Sequence, residues 1–316
     1  MRSELYAAQR QFAADGISQA TKATRRSQLR RYKKFCTRFK FKPFPCTAEI
    51  ACVYATSLSP SLKPCSVRNY LSAVWYKQKM LGYIDYSEDF VLKQTLNGIE
   101  RSYDASEDNT RYPLSALELL EMWKLLDVSV TGDKSFWVAV ILCFRGLVRK
   151  CHVTNSIHML RVKDITVHPA YLKIIIRSSK TDQYGHAPFD IYLHRMPGSP
   201  FCPVDLILEL LQGSSNEDSL LYTYLGRLRI PISYGFMNSK LKRLAALLHL
   251  PVSRVSTHSL RHGGTTMLRD LGLPVDLIMR KGNWKSRAVY RYLHQSEHEM
   301  LRLDQEPCTY LDGLMS

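Results

Sequence analysis

Between Asp15 and Glu49 the apolar positions Leu29, Tyr32, Phe35 or Cys36, and Phe39 recur every three or four residues, which predicts a helix with one buried face. Two more helical patterns follow, at about 47–58 (TAEIACVYATSL) and 65–82 (CSVRNYLSAVWYKQKMLG). Thr47 and Ser66 stand where N-terminal caps belong, and Pro43, Pro45, Pro60 and Pro64 break the chain between these helices. A shorter helix is expected over 88–102. Residues 1–105 therefore read as a small all-helical domain. The stretch from Asp104 to Pro113 (DASEDNTRYP) is polar and aperiodic, so 106–113 reads as a linker.

Beyond it the pattern changes. Helices are expected over 115–127 and 134–150, the second carrying Arg145 and Arg149 one turn apart on one face. Three β-branched and aromatic runs follow, VKDITVHP, AYLKIIIRSSK and APFDIYLH, around the turn SSKTDQYGH. Helices are again expected at about 203–213, 235–248, 257–271, 274–281 and 285–294. The fold class is mainly α, in an α+β arrangement with a small antiparallel sheet, and 114–294 forms the second domain. Residues 295–316, with Met300, Leu301, Leu303, Leu311 and Leu314, make an apolar tail too short to fold alone.

Charge narrows the function. The 316 residues hold 44 Lys and Arg against 28 Asp and Glu, a formal charge of +16. Residues 1–105 hold 18 of those bases and 8 of the acids, or +10. Ten cations and no acid fall between Asp15 and Glu49: Lys22, Arg25, Arg26, Arg30, Arg31, Lys33, Lys34, Arg38, Lys40 and Lys42. Such a helix suits the backbone of double-stranded DNA. Lys22, Arg25, Arg26, Arg30, Arg31, Lys33 and Lys34, with Arg68 and Arg145, are the candidate phosphate contacts. No apolar run reaches the ~18 residues of a membrane span, and MRSELYAAQRQFAADG lacks a secretory core. Eight cysteines without a CxxC pair suit reduced thiols of cytosol or nucleus.

Chemistry concentrates in THSLRHGGTTMLRDLGLPVDLIMRKGNWKSRAVYRYLH, Thr257 to His294. A helix capped by Ser256 or Thr257 puts His258 and Arg261 on one face. A helix N-terminus with an Arg fork is suited to a phosphate. His258/His262 and His294/His298 have the i, i+4 spacing of a zinc pair, but neither has a nearby third ligand, so no metal is expected. There is no carboxylate cluster for a two-metal nuclease, and no GxxxxGK[ST] loop for a nucleotide.

These motifs resemble the tyrosine recombinase (phage integrase) family. HSLRHGG is similar to its HxxR box, and GNWKSRAVYRYL to the box holding its nucleophilic Tyr. FRGLVRK at 144–150 is similar to its first Arg box, and LRVKDI at 160–165 to the start of its sheet. The likeness runs from about 112 to 294 and is greatest to the eukaryotic Crypton and DIRS-type transposon recombinases, where Trp stands in place of a common His. It implies catalytic roles for Arg149, Lys180, His258, Arg261, Trp284 and Tyr292. Arg149, Arg261 and His258 would balance phosphoryl charge, and Lys180 on a β-hairpin would protonate the leaving 5′-oxygen. Tyr292 rather than Tyr290 would attack, leaving Tyr290 in the core, and Trp284 would offer its indole N–H. Arg145 would support or contact backbone. The resemblance further implies a core-binding domain over 1–105, a DNA clamp between the domains, and a 3′-phosphotyrosine intermediate without cofactor. A dimer on each site, a homo-tetramer on paired sites, and a tail docked on a neighbour complete the expectation. Cys151-His152-Val153 departs from the family, which often carries an acidic or amide residue three after the first Arg. A catalytically inactive DNA-binding derivative would bind DNA without a covalent adduct. A type IB topoisomerase-like enzyme would relax supercoils without paired sites.

Overall fold

The computed structural model describes residues 2–104, 111–179, 186–286 and 289–290. The chain divides into two compact units, Met1–Asp108 and Asn109–Ser316.

The first unit is five helices: α1 (Arg2–Asp15), α2 (Gln19–Phe39), α3 (Ala48–Leu58), α4 (Pro64–Met80) and α5 (Phe90–Arg101). Side chains of Ser18, Thr47 and Asp89 cap α2, α3 and α5. The stripe expected on α2 turns Tyr32, Phe35 and Cys36 onto Tyr54, Leu58, Val67, Leu71, Trp75 and Leu92. Phe39, at the end of that stripe, is exposed. Buried Gln78 fastens the far end: its Oε1 accepts from the Cys46 N–H (2.6 Å), and its Nε2 donates to the carbonyls of Cys46 (2.9 Å) and Ile84 (2.5 Å). A buried amide with its bonds filled fixes two loops to one helix. Helix α1 was not marked by any apolar period, and its Leu5 and Phe12 are exposed.

In the second unit α6 (Ala116–Lys124) opens with a capping box between Ser115 and Glu118. The central α7 (Thr131–Phe144) is buried at every residue from Ser135 to Phe144, so it is apolar all round. It does not continue to 150 as its hydrophobicity suggests. Arg145 caps it, a Cβ at Gly146 would approach the Leu142 carbonyl oxygen to 2.7 Å, and Leu147 turns left-handed at φ 51°. A separate short helix, α8 (Lys150–Val153), starts after Arg149. The arginines expected on one helical face are therefore split by a break.

After a 3₁₀ turn at 162–164 comes an antiparallel sheet in the order β1 (Ile165–Val167), β2 (Tyr171–Ile176), β3 (Phe189–His194). Its register, Ile174 opposite Ile165 and Ile191, buries alternate β2 residues in the same core that α7 fills. Helix α9 (Val204–Leu211) leads to a hairpin that went unexpected, β4 (Tyr222–Leu225) and β5 (Leu228–Pro231), closed by Gly226 at φ 60°. Helices α10 (Tyr234–Leu247), α11 (Thr257–Asp270) and α12 (Val275–Gly282) complete the unit. Helix α11 lies against the start of α6 and the end of α7 at Gly263 and Gly264, where a Cβ would stand 1.8 Å from the Leu114 oxygen and 2.0 Å from the Phe144 oxygen. Only glycine allows that approach. The chain is mainly helical with a small antiparallel sheet, the class its pattern indicates. Among the described residues no helix is long and apolar enough to cross a membrane.

Candidate active site

Helix α11 sets the site. Ser256 caps it, its Oγ accepting from the His258 N–H (3.3 Å), and Ser259 Oγ accepts in return from the Ser256 N–H (3.1 Å). One turn on, Arg261 is 4% exposed, its guanidinium turned into the protein. It donates from Nη1 to the carbonyl of Leu147 and from Nη2 to that of Gly282 (2.6 Å). The Trp284 ring covers it, 3.8 Å from guanidinium carbon to ring centroid. The left-handed turn at Leu147 has its explanation here: it aims a carbonyl at an arginine far along the chain.

Arg149 arrives from the loop before α8, half-buried, and donates from Nη2 to the carbonyl of Asn283 (3.2 Å). The two arginines thus hold consecutive carbonyls, 282 and 283, at the C-terminus of α12. The negative end of a helix favours them there. Asn283 is left-handed at φ 48°, a conformation Asn tolerates. Trp284 then folds onto Gly282, where a Cβ would meet the indole at 1.7 Å. What the structure gives for Trp284 is its ring face over Arg261.

His258 is exposed at the mouth of this arrangement. Crowding around its ring disfavours the charged form, and the cations of Lys150, Arg261, Arg111 and Arg149 add to that, so its pKa lies below the ordinary imidazole value. It is neutral at pH 7, able to accept a proton. Lys150 was not singled out from sequence. Its Nζ sits 4.0 Å over the Tyr234 ring at the start of α10, and of the four cations it bears most strongly on His258. Arg111 enters the same field because the segment before α6 is tied to α11, with His262 Nδ1 on the Arg111 carbonyl (3.1 Å) and the Leu114 N–H on that of Ser259 (3.2 Å). His262, half of a possible metal pair, is such a brace, and no cluster of three or more metal-ligating residues occurs among the described residues.

Arg145 is a strut. It donates from Nη1 to the Phe201 carbonyl (2.8 Å) and from Nη2 to that of His194 (3.1 Å). Lys180 and Tyr292 lie outside the described residues, as do the tail 295–316 and most of the expected helix 285–294. Of that helix, Lys285 and Ser286 are non-helical and Val289–Tyr290 form a 3₁₀ turn. Val289 is buried against Leu147 and Ile278. Tyr290, expected in the core, is 55% exposed, because the short turn hands the buried position to its neighbour.

In the first unit the candidate DNA contacts separate into two sets. Arg26, Arg30, Lys33 and Lys34 line one groove together with Arg38, Thr37 and Lys77 of α4, and none of the four has a carboxylate partner among the described residues. The others are engaged within the unit. Lys22 pairs with Asp15 (2.9 Å) and Arg68 with Glu100 (2.6 Å). Arg31 donates to Ser61 Oγ (2.9 Å), and Arg25 lies 3.8 Å over the Tyr76 ring.

No family model and no curated protein sequence matches the chain. Solved structures do. The Tn1549 transposon integrase in complex with transposon right end DNA superposes with a TM-score of 0.65 at 16% identity, over 96% of this chain and 98% of that one. The XerH site-specific recombinase bound to palindromic difH substrate, a post-cleavage complex, gives 0.59 at 15% identity, over 81% and 68%. A lambda integrase dimer bound to a COC' core site gives 0.56 at 15%, over 94% and 96%. The chain has the fold of these DNA-bound recombinases and integrases.

Proposed function

We propose that the chain is a tyrosine recombinase, which cuts and rejoins strands of double-stranded DNA through Tyr292 for the integration or excision of a mobile element. One observation carries this reading: the guanidiniums of Arg261 and Arg149 dock on the adjacent carbonyls of Gly282 and Asn283, ten and nine residues ahead of Tyr292 in the sequence, with His258, its pKa lowered, at the mouth. The shared fold adds weight.

In the proposed step the phenol oxygen of Tyr292 forms a bond to phosphorus as the P–O5′ bond breaks. The phenol proton passes to the free nitrogen of His258. The leaving 5′-oxygen takes a proton from the ammonium of Lys180. Charge building on the non-bridging oxygens meets Arg149 and Arg261, whose places are set before substrate arrives, and one such donor is typically worth ~2.7–4 kcal/mol of barrier. The phosphotyrosine conserves the bond energy, so a 5′-hydroxyl of another strand can reverse the attack. No nucleotide or metal enters the balance.

The groove of Arg26, Arg30, Lys33, Lys34 and Lys77 is the proposed phosphate track of the helical unit. A Crypton or DIRS-type origin, with a nuclear site of action, rests on GNWKSRAVYRYL. A dimer on each site and a tetramer on paired sites rest on the resemblance alone. A nicked suicide duplex carrying the element's own terminal sequence tests the core of the reading. Wild-type protein should form a denaturant-resistant protein–DNA adduct, and Tyr292→Phe should form none. Salt-sensitive binding without any adduct would mean an inactive derivative, and relaxation of a supercoiled plasmid lacking paired sites would mean a topoisomerase-like enzyme.

A further inference from the structure

Lys150 opens α8, and its side chain is exposed. The backbone on both sides of its contact is fixed. Thr154 Oγ1 donates to the Lys150 carbonyl (2.8 Å), and the Asn155 N–H donates to that of Ile232 (2.8 Å), which ties the end of α8 to the entry of α10. There Ser233 Oγ accepts from the Phe236 N–H (3.0 Å) and caps α10, setting Tyr234 at its first position. The Lys150 ammonium lies 4.0 Å over the Tyr234 ring. A ring face holds a cation in place without using up its N–H donors. Among the described residues no oxygen accepts from that ammonium.

The charges around it are of one sign. The four that bear most on His258 are those of Lys150, Arg261, Arg111 and Arg149, all positive. Lys134, Lys163, Lys173 and Lys240 of the same unit each meet a carboxylate, whereas Lys150 meets none among the described residues. Cations gathered without a counter-charge repel one another, and an anion arriving among them relieves that repulsion. Arg149 and Arg261 are already docked on backbone carbonyls, so Lys150 is the one of the three held by a ring alone. We propose that Lys150 is a further substrate contact: seated on Tyr234, it donates to a non-bridging oxygen of the phosphate adjoining the one that reacts beside His258. This rests on reading the site as one that acts on a DNA phosphodiester. The reacting phosphate has Arg149, Arg261 and His258 for its own oxygens, and the ammonium drawn aside onto α10 is left to its neighbour.

The test measures equilibrium binding of the full chain to intact duplexes of the element's terminal sequence, with one phosphate at a time replaced by an uncharged methylphosphonate. Wild type should lose about two- to fivefold in affinity at the phosphate that Lys150 holds, the worth of one exposed ion pair. Lys150→Gln should bind the unmodified duplex more weakly by the same factor. It should lose nothing further at that phosphate and as much as wild type at the others. Its slope of log binding constant against log salt should be flatter by about 0.9, a change that a packing defect alone does not give. Lys150→Arg and Tyr234→Phe should keep both slope and footprint. Tyr234→Leu, which removes the ring, should weaken binding about two- to fivefold, and only while Lys150 is present. Equal losses by Lys150→Gln and wild type at every phosphate overturn the contact, as does a coupled phosphate that does not adjoin the cleaved one. Coupling at a single phosphate with no covalent adduct from wild type leaves the contact standing and overturns the recombinase reading alone. No binding by wild type overturns both.

Discussion

Helix α11 contains two adjacent glycines, and intrinsic propensity says that replacing either with alanine should stabilise it by roughly 1 kcal/mol. The structure says the opposite for Gly263. A Cβ there would stand 1.8 Å from the Leu114 carbonyl oxygen, against the 3.4 Å at which ordinary contact begins, so the helix would have to retreat by 1.6 Å (3.4 less 1.8). The obstacle is backbone and cannot rotate away, which places the steric cost at the upper end of the ~1–3 kcal/mol for overpacking. The retreat would also stretch the bond from the Leu114 N–H to the Ser259 carbonyl, worth about 1 kcal/mol. Sterics therefore win, and Gly263→Ala should destabilise the second unit by about 2–3 kcal/mol net. The assay is urea denaturation of the full chain followed by tryptophan fluorescence, with Trp123, Trp137 and Trp284 reporting on this unit. Gly98→Ala is the control: it lies within α5 with open space around it and should raise the midpoint of the first unit by about 0.4–1 kcal/mol. An unchanged or raised midpoint for Gly263→Ala would refute the reasoning. Adduct formation should fall further than stability does, since Arg261 is two residues away and its carbonyl partners would be displaced.

Other expectations follow from the charges. Arg26→Gln, Arg30→Gln, Lys33→Gln and Lys34→Gln should each flatten the slope of log binding constant against log salt by about 0.9, whereas Arg25→Gln and Arg31→Gln should lower stability and leave the slope nearly unchanged; equal effects from both sets would dissolve the distinction. Burial holds the His152 pKa down to about 4 from the ordinary 6.5. The unfolded chain therefore takes up a proton that the native one refuses, and stability present above pH 6.5 is lost as pH falls towards 4, by on the order of 3 kcal/mol. His152→Asn should remove most of that acid sensitivity relative to wild type in urea titrations across the window. His258, its pKa also lowered, should keep adduct formation going below pH 6.5. Lys150→Gln, which removes the cation that bears most strongly on it, should move the acidic limb of the pH–rate profile upward; a limb that stays put would mean that another group sets it.

Most of the helices were legible because their apolar period is local: Tyr32, Phe35 and Cys36 on α2 lie where three- and four-residue spacing puts them. Ser256, His258 and Arg261 were legible for a related reason, since cap and first turn are read from six residues. The end of α7 was not. Nothing in FRGLVRK says that Leu147 must turn left-handed, because the reason is an arginine at 261 needing a carbonyl. That break is also why Arg145 and Arg149 part company, one bracing β3 and the other reaching α12. The β4–β5 hairpin had a local signal that was passed over, a Gly between YTYL and RLRIP that suits a two-residue turn. The sorting of the α2 cations depended on partners such as Ser61 for Arg31 and Tyr76 for Arg25, neither near in sequence.

The cradle of Arg261 also bears on the order in which the second unit can be completed. Its two carbonyl supports come from segments 114 and 21 residues away along the chain, and its cover comes from Trp284, two residues beyond the second of them. No nascent or truncated fragment can assemble that cradle piecemeal. The cradle therefore forms last, with closure of the whole unit, and a chain that stops short of residue 284 lacks the cover that Arg261 needs.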